Sequence, residues 1–334
     1  MYSNSKFDIS PDAQAAAKDE TETRAMYERA PYPGLGAGLK DMGIYFDSIM
    51  PDLRARKNVR FLEAGCGTGH ILVGVAKQNP TWDCYGIDLS QASLDLATQL
   101  AAKHGTKVTV KRQSYLDPLP FTEKFDLIAA IGTIMCCSDP VAAMRNIRSV
   151  LKDDGYLVIH LYGLRVDRKK FDIKEMLSIF EPDLDMVDRR FAFYDALMKH
   201  RERHWLKHLL QMPLIEILSG ARVWLRNLLR RSRGIVWSPP FTDRYTEPTA
   251  PWIDHFCHPC ERAYEVPEVV ELVRESGFTV QEMLGQGHEY AQLIPPEWRV
   301  DYDRLPPEAK WRLSELLAFG GASFRLILRK DKTT

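Results

Sequence analysis

Two acids and three glycines are the residues of this chain whose types and spacing point most directly to chemistry. Glu63 ends an apolar run, and glycines follow it at positions 65, 67 and 69 in the order E-A-G-C-G-T-G. Asp88 ends the next apolar run, C-Y-G-I-D, about twenty residues further on. Glycines let the backbone approach a ligand closely, and an acid in this place accepts hydrogen bonds from a ribose diol. The pattern predicts a site for a nucleotide-like molecule.

A repeated order of strand, loop and helix must hold these residues at one edge of a sheet. Val59–His70 reads as a buried strand, a glycine turn and a helix start, whose free N–H groups form a polar floor to the site. Cys84–Ser90 reads as a second strand, which opens onto the helix Gln91–His104. Phe125–Ile131 and Tyr156–Leu161 read as further buried strands. This order predicts a doubly wound α/β fold.

The glycine pattern differs from the G-x-G-x-x-G of dehydrogenases, because His70 stands where the third glycine would lie. Counted from Glu63 it is E-x-G-x-G-x-G, and together with Asp88 it resembles motif I of the class I S-adenosylmethionine-dependent methyltransferases. The resemblance covers about Thr23 to Tyr162 and returns near the C-terminus. It implies a Rossmann-like α/β fold with a doubly wound, seven-stranded, mostly parallel sheet, and it implies S-adenosyl-L-methionine as the cofactor.

The resemblance also implies which residues hold this methyl donor. In Q-S-Y-L-D, many relatives place an acid at the first loop position, whereas this chain has Ser114 there and Asp117 at the end. We therefore expect the adenine to be contacted by the Tyr115 backbone rather than by a particular side chain. The expected donor-binding residues are Glu63, Gly65, Cys66, Gly67, Gly69, Asp88, Leu89, Ser114, Tyr115, Ile131 and Gly132.

Four regions follow from this interpretation. They are an N-terminal arm or cap (1–40), the S-adenosylmethionine-binding core (41–163), a helical lid inserted after the fifth strand (164–254) and a C-terminal completion of the core (255–334). In the arm, Y-E-R-A-P-Y-P-G resembles an element that closes over the donor in a bacterial subgroup of the family. Either Tyr27 and Tyr32 contact the cofactor or the acceptor, or the arm packs its aromatic rings on the core.

The insertion, roughly Val166–Asp254, carries apolar residues at helical spacing in Asp185–Gln211 and Ile215–Arg231. Between Met198 and Arg233 only Glu202 and Glu216 oppose nine basic residues. These are Lys199, Arg201, Arg203, Lys207, Arg222, Arg226, Arg230, Arg231 and Arg233. The stretch, which also holds Trp205 and Trp224, is either a solvated helix face or a surface for an anionic acceptor, an acidic protein or a membrane. We expect the insertion to cap the substrate.

The segment W-I-D-H-F-C-H-P-C-E-R-A-Y resembles a connector of the same family that enters the helix before the sixth strand. Cys257 and Cys260, with His255 and His258 nearby, have the look of half a zinc site. A second C-x-x-C pair is missing from the sequence, so we expect no metal. Asp254, His258 and Tyr264 are expected to face the acceptor; the alternative is that His258 and Tyr264 satisfy buried backbone groups.

An activated methyl group needs above all an acceptor held in line with the carbon–sulfur bond. A general base is required when the acceptor arrives protonated, and the candidates are His160, Tyr162 and His258. The candidate substrate-contacting residues are Tyr27, Tyr32, Arg165, Asp254 and Tyr264, of which Arg165 follows a Tyr162-Gly163 step that also resembles the bacterial subgroup.

The loop Ile131–Asp139 constrains the acceptor through motifs that it lacks. It has neither the [DNS]-P-P-[YFW] element of DNA-base methyltransferases nor the double-glutamate loop of protein arginine methyltransferases. The sequence therefore predicts methyl transfer to a nitrogen, oxygen or sulfur atom of a small-molecule metabolite. The alternatives are a protein-lysine N-methyltransferase and, in a different class, a catalytically silent donor-binding scaffold protein.

The composition is that of a cytoplasmic enzyme. Lys and Arg together number 45, as do Asp and Glu, so the bulk charge favours neither a nucleic acid nor an acidic partner. No run of about 18 apolar residues predicts a membrane span. The start of the chain does not have the layout of a secretory signal, and the six cysteines are expected to be reduced. The oligomeric state is left open.

Overall fold

The structure is a computed structural model that describes residues 13–40, 42–203, 245, 247–284, 293–317 and 323–332. The chain forms two compact units. The first comprises Met1–Arg168 and His258–Thr334, and the second comprises Lys169–Cys257. Within the described ranges, no helix has the length and apolar character needed to cross a membrane.

A seven-stranded sheet in the order β3-β2-β1-β4-β5-β7-β6 forms the centre of the first unit. The strands are β1 (Arg60–Ala64), β2 (Asp83–Asp88), β3 (Thr109–Arg112), β4 (Phe125–Ile131), β5 (Leu151–Leu161), β6 (Phe278–Leu284) and β7 (Phe324–Lys330). The first five run parallel, and β7 is antiparallel to both of its neighbours. This confirms the predicted Rossmann-like, mostly parallel sheet.

The described helices surround this sheet or belong to the second unit. They are α1 (Ala13–Arg29), α2 (Ile44–Ala55), α3 (His70–Gln78), α4 (Gln91–Lys103), α5 (Pro140–Val150), α6 (Leu164–Phe180), α7 (Val187–Arg203), α8 (Ala250–Cys257), α9 (Val266–Glu275), α10 (Arg299–Arg304) and α11 (Pro307–Leu317). Local sequence explains where α4 and α5 begin. Ser90 Oγ accepts the backbone N–H of Ser93, and Asp139 accepts that of Ala142 just before Pro140.

The strand β4 lies at the centre of the core. Its sequence, F-D-L-I-A-A-I, is buried from Phe125 to Ala130, so both faces of the strand are covered. A continuous apolar run of this kind is typical of a parallel sheet with helices on both sides. One cluster of buried side chains, including Leu62 and Ile128, packs on one face, and a second, including Phe61 and Leu127, packs on the other.

The strand β5 begins earlier than its sequence suggests. Asp153-Asp154-Gly155 reads as a turn, yet the strand already starts at Leu151. Phe125 pairs with Leu151 and Leu127 pairs with Tyr156, so residues 152–155 bulge out of the ladder between them. The turn residues therefore form a bulge inside the strand rather than its boundary.

The second unit has an apolar core of its own, which α6 from Lys169 onward, α7 and α8 form. Its core contains Trp252 and Phe256 from α8, and Tyr194 from α7. Arg190 is fully buried, and its guanidinium donates to the backbone carbonyls of Glu181 and Phe256. The predicted helix Asp185–Gln211 corresponds to α7 as far as Arg203. The rest of that helix, the predicted helix Ile215–Arg231, Trp205, Trp224 and most of the basic stretch lie outside the described residues.

Candidate functional site

A glycine loop joins β1 to α3 at the carboxyl edge of the sheet. The Gly65 N–H donates to the carbonyl of Ile87 at 2.8 Å, which ties the loop to β2. Gly65, Gly67 and Gly69 have φ angles of 76°, 50° and 80°, a region that L side chains rarely adopt. A Cβ at position 67 would lie 2.7 Å from the carbonyl oxygen of Tyr32. The loop therefore needs glycine both for its conformation and for the close approach of another segment.

The acid at the end of β2 lies against this loop. Asp88 Oδ2 accepts the N–H of Gly67 at 2.8 Å, and Oδ1 accepts the N–H of Ser90 at 2.9 Å. The backbone N–H of Leu89 is a third donor to this carboxylate, so about one of its four lone-pair sites remains for a further donor. Burial raises the pKa of Asp88, and the nearby charge of Glu28 adds to the rise, while the backbone N–H groups oppose it. The structure thus brings Asp88 and the glycine loop together, as their spacing predicts.

Glu63 is a buried carboxyl at the start of the loop, with a side chain that is 3% exposed. Burial raises its pKa to about 8, and the charge of Asp88 acts in the same direction. Its Oε2 atom has no hydrogen-bond partner among the described residues. A buried polar atom without a partner is costly, so this oxygen is suited to a polar group supplied by a ligand.

The loop after β3 is fixed by its neighbours. The hydroxyl of the buried Tyr115 donates to the carbonyl of Thr133 at 3.3 Å. The carbonyl of Tyr115 accepts Asn146 Nδ2 at 3.1 Å. Burial raises the pKa of the Tyr115 phenol well above its usual range, so the ring remains neutral. The structure therefore holds Tyr115 beside the loop that follows β4.

A narrow cavity, with a volume of about 20 Å³, is lined by residues of these loops. The residues that matter most around it are Leu89, Ser114, Tyr115, Cys137, Ser138 and Cys260. Ser138 is 5% exposed, and within the described ranges its Oγ has no hydrogen-bond partner. The cavity thus combines apolar and sulfur-containing walls with an unsatisfied hydroxyl.

The N-terminal arm is held across the carboxyl ends of β1 and β2. Ser90 Oγ donates to the carbonyl of Tyr27 at 3.1 Å, and the N–H of Thr68 donates to the carbonyl of Tyr32 at 3.1 Å. The Glu28 carboxylate accepts the N–H groups of residues 91 and 92, which begin α4. Both tyrosines thus contact the glycine loop or the residues that follow β2 through their carbonyls. Glu28 was missed in the sequence, because a cap supplied from sixty-three positions away leaves no local pattern.

His70, the residue that replaces the third glycine, ties a further part of the arm to the loop. Its Nε2 lies 3.0 Å from the carbonyl of Ala37, and its Nδ1 lies 3.0 Å from Thr68 Oγ1. Because a carbonyl only accepts, Nε2 carries the proton. Burial lowers the pKa of His70.

On the next turn of α3, a Cβ at Gly74 would lie 1.9 Å from the carbonyl oxygen of Lys40, so glycine is required there as well.

The connector predicted to face the acceptor lies at the carboxyl ends of β4 and β5. The N–H of Tyr264 donates to the carbonyl of Tyr162 at 2.9 Å. The N–H of Arg262 donates to the carbonyl of Met135, in the loop after β4, at 3.0 Å. Tyr264 is buried, and burial raises the pKa of its phenol. The structure thus groups Tyr162 and Tyr264 beside the loop that holds Cys136.

The histidines proposed as bases lie in different settings. His160 is half-buried on β5, where burial and the charge of Arg325 lower its pKa to about 4. Its ring meets that of Tyr162 edge-on at 6.0 Å. His258 is fully buried, and its Nδ1 accepts the N–H of Cys260 at 3.1 Å. His258 therefore satisfies a backbone group, as the alternative interpretation expects, while its ring meets that of Tyr27 edge-on at 5.8 Å.

The remaining candidate residues are Arg165 in the first unit and Asp254 in the second. Arg165 Nε is 3.7 Å from Glu265 Oε1, beside the start of α9. Asp254 belongs to α8 in the second unit. In the part of the chain that the structure describes, no group of three or more His, Cys, Asp or Glu side chains is arranged to hold a metal ion.

The chain resembles methyltransferases in sequence and in structure. Residues 55–202 match a family model described as a methyltransferase domain. An uncharacterized methyltransferase of Schizosaccharomyces pombe is 33% identical over 30% of this chain and 39% of its own length. The EEF1A lysine methyltransferase 2 of Danio rerio is 26% identical over 39% of this chain and 57% of its own length.

Among solved structures, PKMT2 from Rickettsia typhi in complex with AdoHcy has a TM-score of 0.57 and 15% sequence identity. The match covers 82% of this chain and 49% of that chain. This chain therefore spans between 39% and 57% of the length of these three proteins. The likeness to PKMT2 confirms the fold of the sheet and its flanking helices.

The family match, the order of the sheet and the position of Asp88 against the glycine loop agree with one another. Residues 55–202 match a methyltransferase domain, and the sheet has the order expected of the class I S-adenosylmethionine-dependent methyltransferases that the sequence resembles, whose cofactor is S-adenosyl-L-methionine. The residues present fit that cofactor, because Glu63 Oε2 and Ser138 Oγ are buried polar atoms that lack a partner in the described ranges.

Proposed function

We propose that this chain transfers a methyl group from S-adenosyl-L-methionine to a nitrogen, oxygen or sulfur atom of a small-molecule metabolite. The sulfonium activates the methyl group, so that the carbon–sulfur bond breaks with its electron pair on sulfur while the acceptor's lone pair forms the new bond. Alignment of the acceptor and exclusion of water are the contributions left to the protein.

The observation that carries the proposal is the 2.8 Å hydrogen bond from Gly67 N–H to Asp88 Oδ2. It puts a carboxylate, which can accept a further hydrogen bond, beside a glycine loop whose backbone a ligand can approach. We assign Asp88 to the ribose hydroxyls, since a carboxylate is the strongest acceptor available for a diol. The unpartnered Glu63 Oε2 is assigned to the ammonium group of the methionyl part of the donor.

The acceptor is proposed to bind at the ends of β4 and β5. The buried groups there are uncharged: burial raises the pKa values of the Tyr115 and Tyr264 phenols and of the Cys137 thiol. Neutral, desolvated walls favour a reaction that consumes positive charge on the donor, because water no longer stabilises that charge. They also favour a compact acceptor with few charges of its own, which is why a metabolite is preferred.

Among the candidate bases, His160 is preferred for accepting the proton that the acceptor loses. Its lowered pKa of about 4 keeps the imidazole neutral at physiological pH, which is the form that accepts a proton. A base of this pKa is weak and suits an acceptor that becomes strongly acidic as the new bond forms. The Nδ1 atom of His258 is already occupied by the N–H of Cys260, and Tyr162 is retained as a contact for the acceptor.

A protein lysine is the second candidate acceptor. The observation that favours it is the 26% identity with EEF1A lysine methyltransferase 2 of Danio rerio, which covers 39% of this chain. A lysine would have to lose its proton before transfer, and the same uncharged walls would lower its pKa. The two candidate reactions thus use the same donor site and differ in the product, which is a methylated metabolite in one case and a methylated protein in the other.

Transfer of a labelled methyl group from S-adenosyl-L-methionine into a fractionated lysate tests the proposal. The expected result is label in the small-molecule fraction with the wild-type chain and with Asp95→Ala, an exposed position on α4, and its loss with Asp88→Ala. Label on protein lysines would instead establish the second candidate. Binding of the donor without transfer to any fraction would overturn the enzymatic proposal in favour of a donor-binding scaffold.

A further inference from the structure

The adenine end of the proposed donor site lacks the acid that many related proteins carry at the first position of the loop after β3. This chain has Ser114 there. The hydroxyl oxygen of Ser114 accepts the backbone N–H of Leu116 at 3.0 Å. This hydrogen bond stabilises the turn of the loop. A serine cannot replace the missing carboxylate.

The proton of the Ser114 hydroxyl is donated to a carboxylate from a distant part of the chain. Glu20 Oε2, on α1, accepts it at 3.2 Å, across ninety-four positions of sequence. Glu20 lines the same cavity as Leu89, Ser114 and Tyr115. A carboxylate offers about four lone-pair sites, and the Ser114 hydroxyl occupies one of them. Asp19 of the same helix also lines the cavity, and Glu20 is the acid that is hydrogen-bonded to the loop after β3.

The surroundings of Glu20 are those of a group held inside a site. Its side chain is half-buried, and burial raises the pKa of the carboxyl, while the hydrogen bond from Ser114 opposes the rise. The negative charge of Asp117 acts in the same direction as burial. A partly desolvated acceptor of this kind gains most when a ligand supplies an N–H donor.

We propose that Glu20 recognises the exocyclic amino group of the adenine of S-adenosyl-L-methionine, in place of the acid that the loop after β3 lacks. This inference rests on the proposed function, because it assigns one more residue to the same donor site. It makes α1 part of the binding site rather than a cover over it. Ser114 then acts as a positioning residue, which orients the carboxylate through its hydroxyl.

Calorimetric binding of two ligands tests the assignment. S-adenosyl-L-homocysteine carries the amino group, whereas S-inosyl-L-homocysteine carries an oxygen in its place, which a carboxylate repels. The wild-type chain should bind the adenosyl ligand about 10- to 100-fold more tightly than the inosyl ligand. Glu20→Ala should reduce this preference to about threefold or less, whereas Glu20→Gln, which keeps a carbonyl acceptor, should retain part of it. Glu22→Ala, an exposed position on the same helix, should leave it unchanged.

A rescue experiment separates recognition from a purely structural contact. Placing an acid back in the loop, as Ser114→Asp in the Glu20→Ala background, should restore the preference for the adenosyl ligand. If Glu20→Ala weakens both ligands equally, or leaves their ratio at the wild-type value, the assignment is overturned while the donor site stands. If the wild-type chain binds neither ligand, the proposed function fails and takes this assignment with it.

Discussion

Replacing the buried carboxyl of Glu63 by an amide is expected to make the donor-free protein more stable at high pH. In the unfolded chain a glutamate loses its proton near pH 4.5, whereas burial raises the pKa of Glu63 to about 8 in the folded chain. A rise of this size lowers the unfolding free energy by about 5 kcal/mol at pH values above 8, relative to a glutamate with an unchanged pKa. Because the folded state binds the proton more tightly, this group lowers the stability of the protein as the pH rises from 4.5 to 8.

The assay is chemical denaturation of the wild-type chain and of Glu63→Gln between pH 5 and pH 9. The buried amide keeps an acceptor for the backbone of Leu72, and a donor without a partner costs it about 1–3 kcal/mol at every pH. The difference in unfolding free energy between the two proteins should therefore shift by about 4 kcal/mol in favour of the variant from pH 5 to pH 9. The exposed position Glu22→Gln serves as the control.

A difference between the two proteins that stays constant with pH would refute the buried, proton-binding state of Glu63. The same experiment links the group to the donor site. Saturating S-adenosyl-L-homocysteine, whose ammonium is assigned to Glu63 Oε2, should shrink the pH-dependent difference. An undiminished difference in the presence of bound ligand would separate Glu63 from the ligand's ammonium.

Two further predictions concern the loop and the candidate base. Gly67→Ala puts a Cβ 2.7 Å from the carbonyl oxygen of Tyr32 at a φ of 50°. We expect the unfolding free energy, measured by thermal unfolding, to fall by about 1–3 kcal/mol and donor binding to become much weaker. Donor binding as tight as that of the wild type would contradict this. Because the pKa of His160 is about 4, titration of this group should not change the wild-type rate between pH 6 and 9. A pH–rate profile measures this. If the wild-type profile has an inflection in that range and His160→Gln abolishes it, the assignment of His160 as a neutral base is contradicted.

The contact between the glycine loop and Asp88 was predictable because its signals are local. The glycines at 65, 67 and 69 and the acid at 88 each follow a strand directly, and β1 and β2 are neighbours in the sheet. Parallel neighbours place their carboxyl ends at the same edge, so the sequence distance between the two motifs translates into contact. Four of the strands were read from the same alternation, and the total of seven came from the family resemblance.

The contacts of the N-terminal arm were not predictable in the same way. Glu20 reaches the loop after β3, and Glu28 reaches the start of α4, across ninety-four and sixty-three positions of sequence. Such pairs depend on how α1 packs, which no local periodicity encodes. The tyrosines of the arm were identified as candidates for their rings, whereas Tyr27 and Tyr32 contact the donor loops through carbonyls that every residue type possesses. The bulge in β5 was read as a turn for a different reason, because Asp-Asp-Gly favours both a turn and a bulge.

The central claim is that the glycine loop and Asp88 bind S-adenosyl-L-methionine, and calorimetric titration of the donor tests it most directly. Removing the carboxylate in Asp88→Ala should weaken binding by about 10- to 100-fold, since the ribose loses a charged acceptor. Asp88→Asn, which keeps one carbonyl acceptor, should fall between that variant and the wild type, and Asp95→Ala should bind as the wild type does. Equal affinities for the wild-type chain and Asp88→Ala would contradict the placement of the donor.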